Sequence, residues 1–349
     1  MIKKTISAVS LSLLILTSST INIYADSKYN RELIEGNTGN ISMQLNKKVF
    51  KKANEAVLIN ENSIVDSISA TPLAYAKDAP IITTEWKKID KSTKDYIKSL
   101  GVKKITIVGG LKAVSRTSEN KLKDMGMEVK RISGVNRFET SIDLATELSK
   151  IEKVSEMFLI NSRAGLENPL SIYAYAAQNN IPIIWSNDDD FKNTKSYIRK
   201  NKIKKVYAVG DSEKFVHEVE KSIDNVEVIK EINKSDTNIH TIKEMNKGKI
   251  SQIYTADVEY GNRSNALEYI SLGVVAAKQN IPILITSDSF TYSQKKFIEK
   301  TEIDKIIQVG FEVSDYNVFH IIMSKNFISA MILIILLVII VVRAFKYQS

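Results

Sequence analysis

At 349 residues, with 44% apolar and 26% charged, the chain has the balance of a globular protein and room for two or three domains. It holds no cysteine, which excludes disulfides, thiolate metal sites and thiol nucleophiles, so stability rests on packing. The formal charge of +9 favours anionic partners only mildly, because Lys3, Lys4, Arg343 and Lys346 border two terminal apolar segments.

The first of these segments, residues 1–25, has a basic start, an apolar centre around Leu11 to Leu16 and Ala25 before Asp26. This layout predicts a secretory signal peptide cut after Ala25, and therefore an exported chain. Asp26 to about Asn46 is polar and weakly patterned. Ala56 to Ile59 then reads as a buried strand, Ser63 to Ala76 as a helix and Pro80 to Thr84 as a second strand. Asp90 opens a helix that Gly101 closes, Ile105 to Val108 is a strand, Ser118 to Met125 a helix and Glu128 to Ile132 a strand. Gly134 breaks that strand, Asn136 or Thr140 caps the next helix, and Ile142, Leu144, Ala145 and Leu148 give it one apolar face. The pattern then runs through strands at 157–160, 182–185 and 206–209 with helices at 169–177 and 194–200, and again through 250–255, 266–277, 281–285, 293–300 and 306–309.

The chain repeats itself. Pro80, Pro182 and Pro282 open like strands 102 and 100 residues apart, and Val108, Val209 and Val309 close like strands 101 and 100 apart. Tyr96-Ile97, Tyr197-Ile198 and Phe297-Ile298 hold the same register between them. Short, continuously apolar strands alternating with helices predict an α/β fold with parallel sheets covered on both faces. The expected repeats are 26–130, 131–231 and 232–316. At the C-terminal end, Phe327 to Val342 carries no charge, and Lys325 and Arg343 stand at its two ends. It predicts one transmembrane helix, 325–343, with a cytoplasmic tail, 344–349, and the N-terminal domain outside.

The run RISGVNRFETSIDLA, Arg131 to Ala145, is followed by an alanine-rich helix, a PIIW strand and a strand ending Val-Gly. These motifs, in this order, resemble the clostridial cell wall binding repeat of the type 2 class over about 290 residues. The resemblance implies three tandem Rossmann-like units packed with pseudo-threefold symmetry. It implies binding to an anionic secondary cell wall polysaccharide, without catalysis. The Arg-Phe-Glu-Thr motif is intact only at Arg137 to Thr140, and 37–40 and 234–237 have diverged from it. The family's polymer-binding Ile-Leu-Leu segment corresponds to Ile81-Ile82-Thr83, Ile183-Ile184-Trp185 and Ile283-Leu284-Ile285.

In open parallel sheets ligands sit past the carboxyl ends of the strands. Arg137, Arg163 and Arg263 are the expected polymer ligands, since a guanidinium grips phosphate or carboxylate with two parallel hydrogen bonds. Asn60 and Asn161, at strand ends, are expected beside them. No cofactor is expected: Gly109-Gly110 lacks the dinucleotide pattern, His217, His240 and His320 lack metal spacing, and Asp188-Asp189-Asp190 lacks the alternation of a calcium loop. Nucleic acid is not an expected partner. The expected role is to tie the cytoplasmic membrane to the wall, in the cell envelope, with three linked units adding their affinities. The alternatives are a wall hydrolase using Glu61 or Asp66, and a degenerate scaffold for another wall protein.

Overall fold

The computed structural model describes residues 29–187, 191–210, 212–223, 226–229, 234–246, 248–258 and 266–315. The expected signal peptide, membrane span and tail, together with Arg263, His320 and Asp188-Asp189-Asp190, lie outside the described residues. Among the described residues no helix is long and apolar enough to cross a membrane.

The chain opens with β1 (Asn30–Ile34) and α1 (Thr38–Val49), in the stretch that the sequence left weakly patterned. A first sheet follows, built from β2 (Glu55–Asn60), β3 (Ile81–Thr84), β4 (Lys104–Val108) and β5 (Glu128–Ile132), all parallel, in the order β3-β2-β4-β5. Helices α2 (Ile64–Ala76), α3 (Lys91–Leu100) and α4 (Arg116–Asp124) connect the strands. Local signals set their ends. The Asp90 side chain accepts from Thr93 N at 2.6 Å to start α3, and Gly101 ends it at φ 77°. Every β2 residue after Glu55 is buried, as a strand covered on both faces requires.

The second unit repeats the plan with α5 (Arg137–Ile151), β6 (Glu156–Asn161), α6 (Glu167–Gln178), β7 (Ile183–Ser186), α7 (Lys192–Asn201), β8 (Lys205–Val209), α8 (Glu213–Ser222) and β9 (Val226–Ile229). Its sheet runs β7-β6-β8-β9. The third comprises α9 (Lys234–Met245), β10 (Gln252–Asp257), a 3-10 turn (Leu267–Tyr269), α10 (Leu272–Gln279), β11 (Ile283–Thr286), α11 (Tyr292–Thr301) and β12 (Lys305–Val309).

The fourth strand of the third sheet comes from the other end of the chain. β1 pairs in parallel with β12, Asn30 opposite Lys305 through Ile34 opposite Val309, in the order β11-β10-β12-β1. Arg31 meets Asp315 at 2.7 Å, the Tyr29 hydroxyl donates to the same carboxylate, and Glu32 pairs with Lys48 and Lys305. The sheets thus depart from the expected division at two places, the first strand and the boundary at 131. β1 belongs with the last unit, and β5 spans the expected first boundary while completing the first sheet.

Three helices cross between units. α1 leaves the third sheet to pack on β3, α5 leaves the first to pack on β7, and α9 leaves the second to pack on β11. Each carries buried polar side chains that bond the edge strand it covers. Asn46 Nδ2 donates to Ile81 O at 2.7 Å, Ser141 Oγ accepts from Trp185 N at 3.0 Å, and Asn238 Oδ1 accepts from Ile285 N at 2.8 Å. These bonds satisfy backbone groups that an edge strand would otherwise leave unpaired.

At the centre α2, α6 and α10 pack on one another. Nine residues before each strand proline stand Thr71, Tyr173 and Gly273. The Tyr173 ring fills the middle, 2.4 Å from where a Gly273 Cβ would lie, so the three equivalent positions share room for one large side chain. A single apolar core runs from these helices into all three sheets, and the second and third units hold further clusters of their own.

Candidate functional site

A cleft of about 870 Å³ opens where strand ends of the first two units meet. Its walls are the β2–α2, β4–α4 and β5–α5 loops of the first unit and the β6–α6 loop of the second; Val258 and Leu267 of the third unit also line it. The position agrees with ligand sites past the carboxyl ends of parallel strands.

The β5–α5 loop shows how the Arg-Phe-Glu-Thr motif works. Asn136 caps α5, accepting from Phe138 N at 2.9 Å and Glu139 N at 3.0 Å. Glu139 Oε2 reaches back to accept from Val135 N at 3.0 Å, and Thr140 Oγ1 accepts from Gly134 N at 3.1 Å. Gly134 is required for the close approach, since a Cβ there would lie 2.2 Å from Glu139 Cβ and 2.7 Å from Thr140 N. Three of the four motif residues serve the local fold in this way: Glu139 and Thr140 fix the loop, and half-buried Phe138 packs on the core. Arg137, in the first turn, remains exposed in the cleft lining.

Lys112 and Arg163 line the same cleft with exposed side chains. Asp66 adds one acid. Burial pushes its carboxyl above the usual carboxylate range, against a hydrogen bond from Ser63 and the nearby Arg137 charge. Buried Glu167 is the other acid, its Oε2 lying 1.9 Å from where a Gly165 side chain would begin. Among the described residues the lining sets Arg137, Arg163 and Lys112 against Asp66 and Glu167, an excess of positive charge that suits an anion.

Behind the wall, Arg131 acts as a clamp. Its guanidinium donates to Gly109 O at 2.7 Å, Gly110 O at 3.3 Å and Val114 O at 2.9 Å, and pairs with Glu119 at 2.8 Å. Burial works to raise the Glu119 carboxyl, but hydrogen bonds from Lys123 and Arg131 and the charges of Arg131 and Arg116 outweigh it and hold it down at about 2. The β4–α4 loop that carries Lys112 is thereby fixed at three carbonyls.

Of the residues expected from sequence, Arg137 and Arg163 come together in the cleft and Arg263 lies outside the described residues. Asn60 and Asn161 do not line it. They are buried and hold loops: Asn60 Nδ2 donates to Ala113 O at 2.7 Å while its Oδ1 accepts from Asn62 N at 2.8 Å, and Asn161 Oδ1 accepts from Arg163 N at 2.8 Å. The Ile-Leu-Leu equivalents are likewise buried in β3, β7 and β11, and of them only Trp185 lines the cleft. Glu61 is not in the lining, so the cleft does not unite it with Asp66. Sequence reasoning missed Lys112 and Arg131. Arg131 begins the quoted motif, but its partners lie on another loop.

Comparison with known proteins adds the family. Residues 38–119 and 131–220 match the model of Cell wall binding domain 2. The N-acetylmuramoyl-L-alanine amidase LytC of Bacillus subtilis is 33% identical over 161 residues, 46% of this chain and 32% of LytC. An amidase enhancer of the same organism is 32% identical over 140 residues, 40% of this chain and 19% of the enhancer. The chain therefore spans a third or less of these relatives. Two solved structures from Clostridium difficile align at a TM-score of 0.72: Cwp6, 26% identical over 82% of this chain and 46% of its own, and Cwp8, 28% identical over 85% and 52%. The chain thus carries two repeats of the cell wall binding domain 2 family, 38–119 and 131–220, each holding three of the four strands of its sheet.

Proposed function

We propose that the chain is a non-catalytic binding module that holds an anionic secondary polysaccharide of the cell wall in the cleft between its first two units. The observation that carries this is the convergence of Arg137, Arg163 and Lys112 on one cleft in a chain with two cell wall binding repeats. Arg137 grips a phosphate or carboxylate of the polymer, Arg163 and Lys112 supply further positive field, and Asp66 limits how tightly an anion is held. The predicted C-terminal span places this module at the outer face of the cytoplasmic membrane, so that it links membrane to wall.

Co-sedimentation tests it. The full chain is expected to pellet with native Gram-positive walls and to stay in solution with walls stripped of secondary polymers by mild acid. Arg137→Ala is expected to weaken wall binding about tenfold or more with an unchanged thermal midpoint, and added salt to weaken it further. Equal binding to both wall preparations would overturn the polymer assignment. Release of soluble sugar or peptide from purified walls would instead support the hydrolase alternative, which the partial likeness to an amidase keeps in view.

A further inference from the structure

Among the described residues five large apolar side chains are exposed, and three of them stand together at one place. Leu111 and Val135 line the cleft at 47% and 91% exposure, and Trp86, at 47%, donates its indole Nε1 to Leu111 O at 2.8 Å. Trp86 is also held by its backbone, its carbonyl accepting from Ser115 N at 2.9 Å and Ser118 Oγ at 3.1 Å. The indole is thus exposed yet tied at its ring nitrogen and at its backbone carbonyl, so a partner meeting it orders little that is not already held. Lys87 Nζ lies 4.3 Å from the ring centroid.

These side chains are peculiar to the first unit. Six residues after the strand proline, the copies read Trp86, Asp188 and Asp288; three residues after the strand valine, they read Leu111, Ser212 and Glu312. The repeat plan therefore does not require an apolar residue at either place, yet both occur on the loops beside the cleft. The local charges offset one another: Lys87 and Lys88 stand among Glu85 and Asp90, and the Glu61 carboxyl is raised by burial and by the charges of Glu85 and Asp90. Such a rim suits an uncharged, flat, C–H-rich surface better than a bare anion.

We infer that Trp86, with Leu111 and Lys87, forms a second subsite that stacks a sugar ring of the same polymer whose anionic group lies in the cleft. The inference rests on the polymer assignment made above for that cleft. A carbohydrate ring presents a C–H face that packs on indole, Leu111 continues the apolar contact to the cleft mouth, and Lys87 donates to a hydroxyl of that sugar. The polymer then runs as a track from the Trp86 rim into the Arg137 cleft.

The chain's two tryptophans make the test direct, because Trp86 is exposed and Trp185 is buried at 2%. The probe is the soluble polysaccharide released from Gram-positive walls by mild acid, titrated into the full chain while acrylamide quenching is followed. Polymer is expected to shield Trp86 from acrylamide. Trp86→Phe, with only Trp185 left, should lose that response yet keep affinity within about threefold, and Trp86→Ala should bind about tenfold more weakly. Polymer that binds with Trp86 still quenched, or Trp86→Ala that binds undiminished, overturns the subsite and leaves the cleft assignment standing. A chain that fails to bind the polymer at all overturns both. Shielding by intact walls but not by the purified polysaccharide overturns the subsite in favour of a protein docked on the same rim.

Discussion

Asp66 and Gly134 show how single positions in the cleft are tuned. The second copy places Asn168 where the first has Asp66, so an amide suits this position in the fold. Because burial holds the Asp66 carboxyl above its ordinary range, its charged form costs stability at neutral pH, and that cost disappears below the unfolded carboxylate pKa. Asp66→Asn is therefore expected to raise the urea midpoint at neutral pH, to leave it unchanged near about pH 3, and to tighten polymer binding. Glu119 has the opposite sign: held at about 2 against an ordinary 4.5, it stabilises the fold above the higher value and loses that contribution as pH falls toward the lower one. Gly134→Ala should cost roughly 1–3 kcal/mol in chemical denaturation, since the added Cβ meets backbone as well as side chain. Arg137 and Arg163 were legible in the sequence as cleft residues, because both stand past the carboxyl ends of strands. Asn60 and Asn161 were placed correctly at strand ends, but their amides bond nearby backbone, which composition and position do not reveal.

Strands and helices with continuous apolar runs or clean caps, such as β2, β6 and α3, were legible because burial on both faces leaves a plain signal. The crossover helices α1 and α9 were not. The faces they bury include Ser42, Asn46, Asn238 and Thr241, so polar residues stand where a helical pattern needs apolar ones. These polar groups serve edge strands. Asn238 bonds both Ile285 N and Ile283 O of β11, so Asn238→Ala leaves a buried donor and acceptor unmatched. A loss of roughly 2–4 kcal/mol is expected, with faster hydrogen exchange at the Ile285 amide than elsewhere in the third sheet. β1 was hidden for a related reason: Arg31 and Glu32 give an edge strand a loop-like composition while forming its ion pairs. α1 begins with Thr38 where α5 begins with Arg137, so these two crossings present unlike side chains to the loops before them.

The threefold repetition of the whole molecule was legible from proline and valine spacing, but its closure was not, because no local pattern tells a strand which end of the chain it will meet. Removing residues through Gly36 should strip β12 of one of its two neighbours and of the Arg31–Asp315 pair. The expected result is hydrogen exchange that rises first in β12 and β10, with β2 to β8 protected for longer. Protection lost evenly across all three sheets would show that the shared core, rather than strand closure, sets the stability of the third unit. The contact of Tyr29 and Arg31 with Asp315 has a mechanical consequence. Whatever precedes the folded body and whatever follows it leave from one spot, so a tether on either side becomes a single pivot. Force applied at that point bears on β1 and β12 together, across the ladder that closes the third sheet, and reaches the first two units only through the shared core.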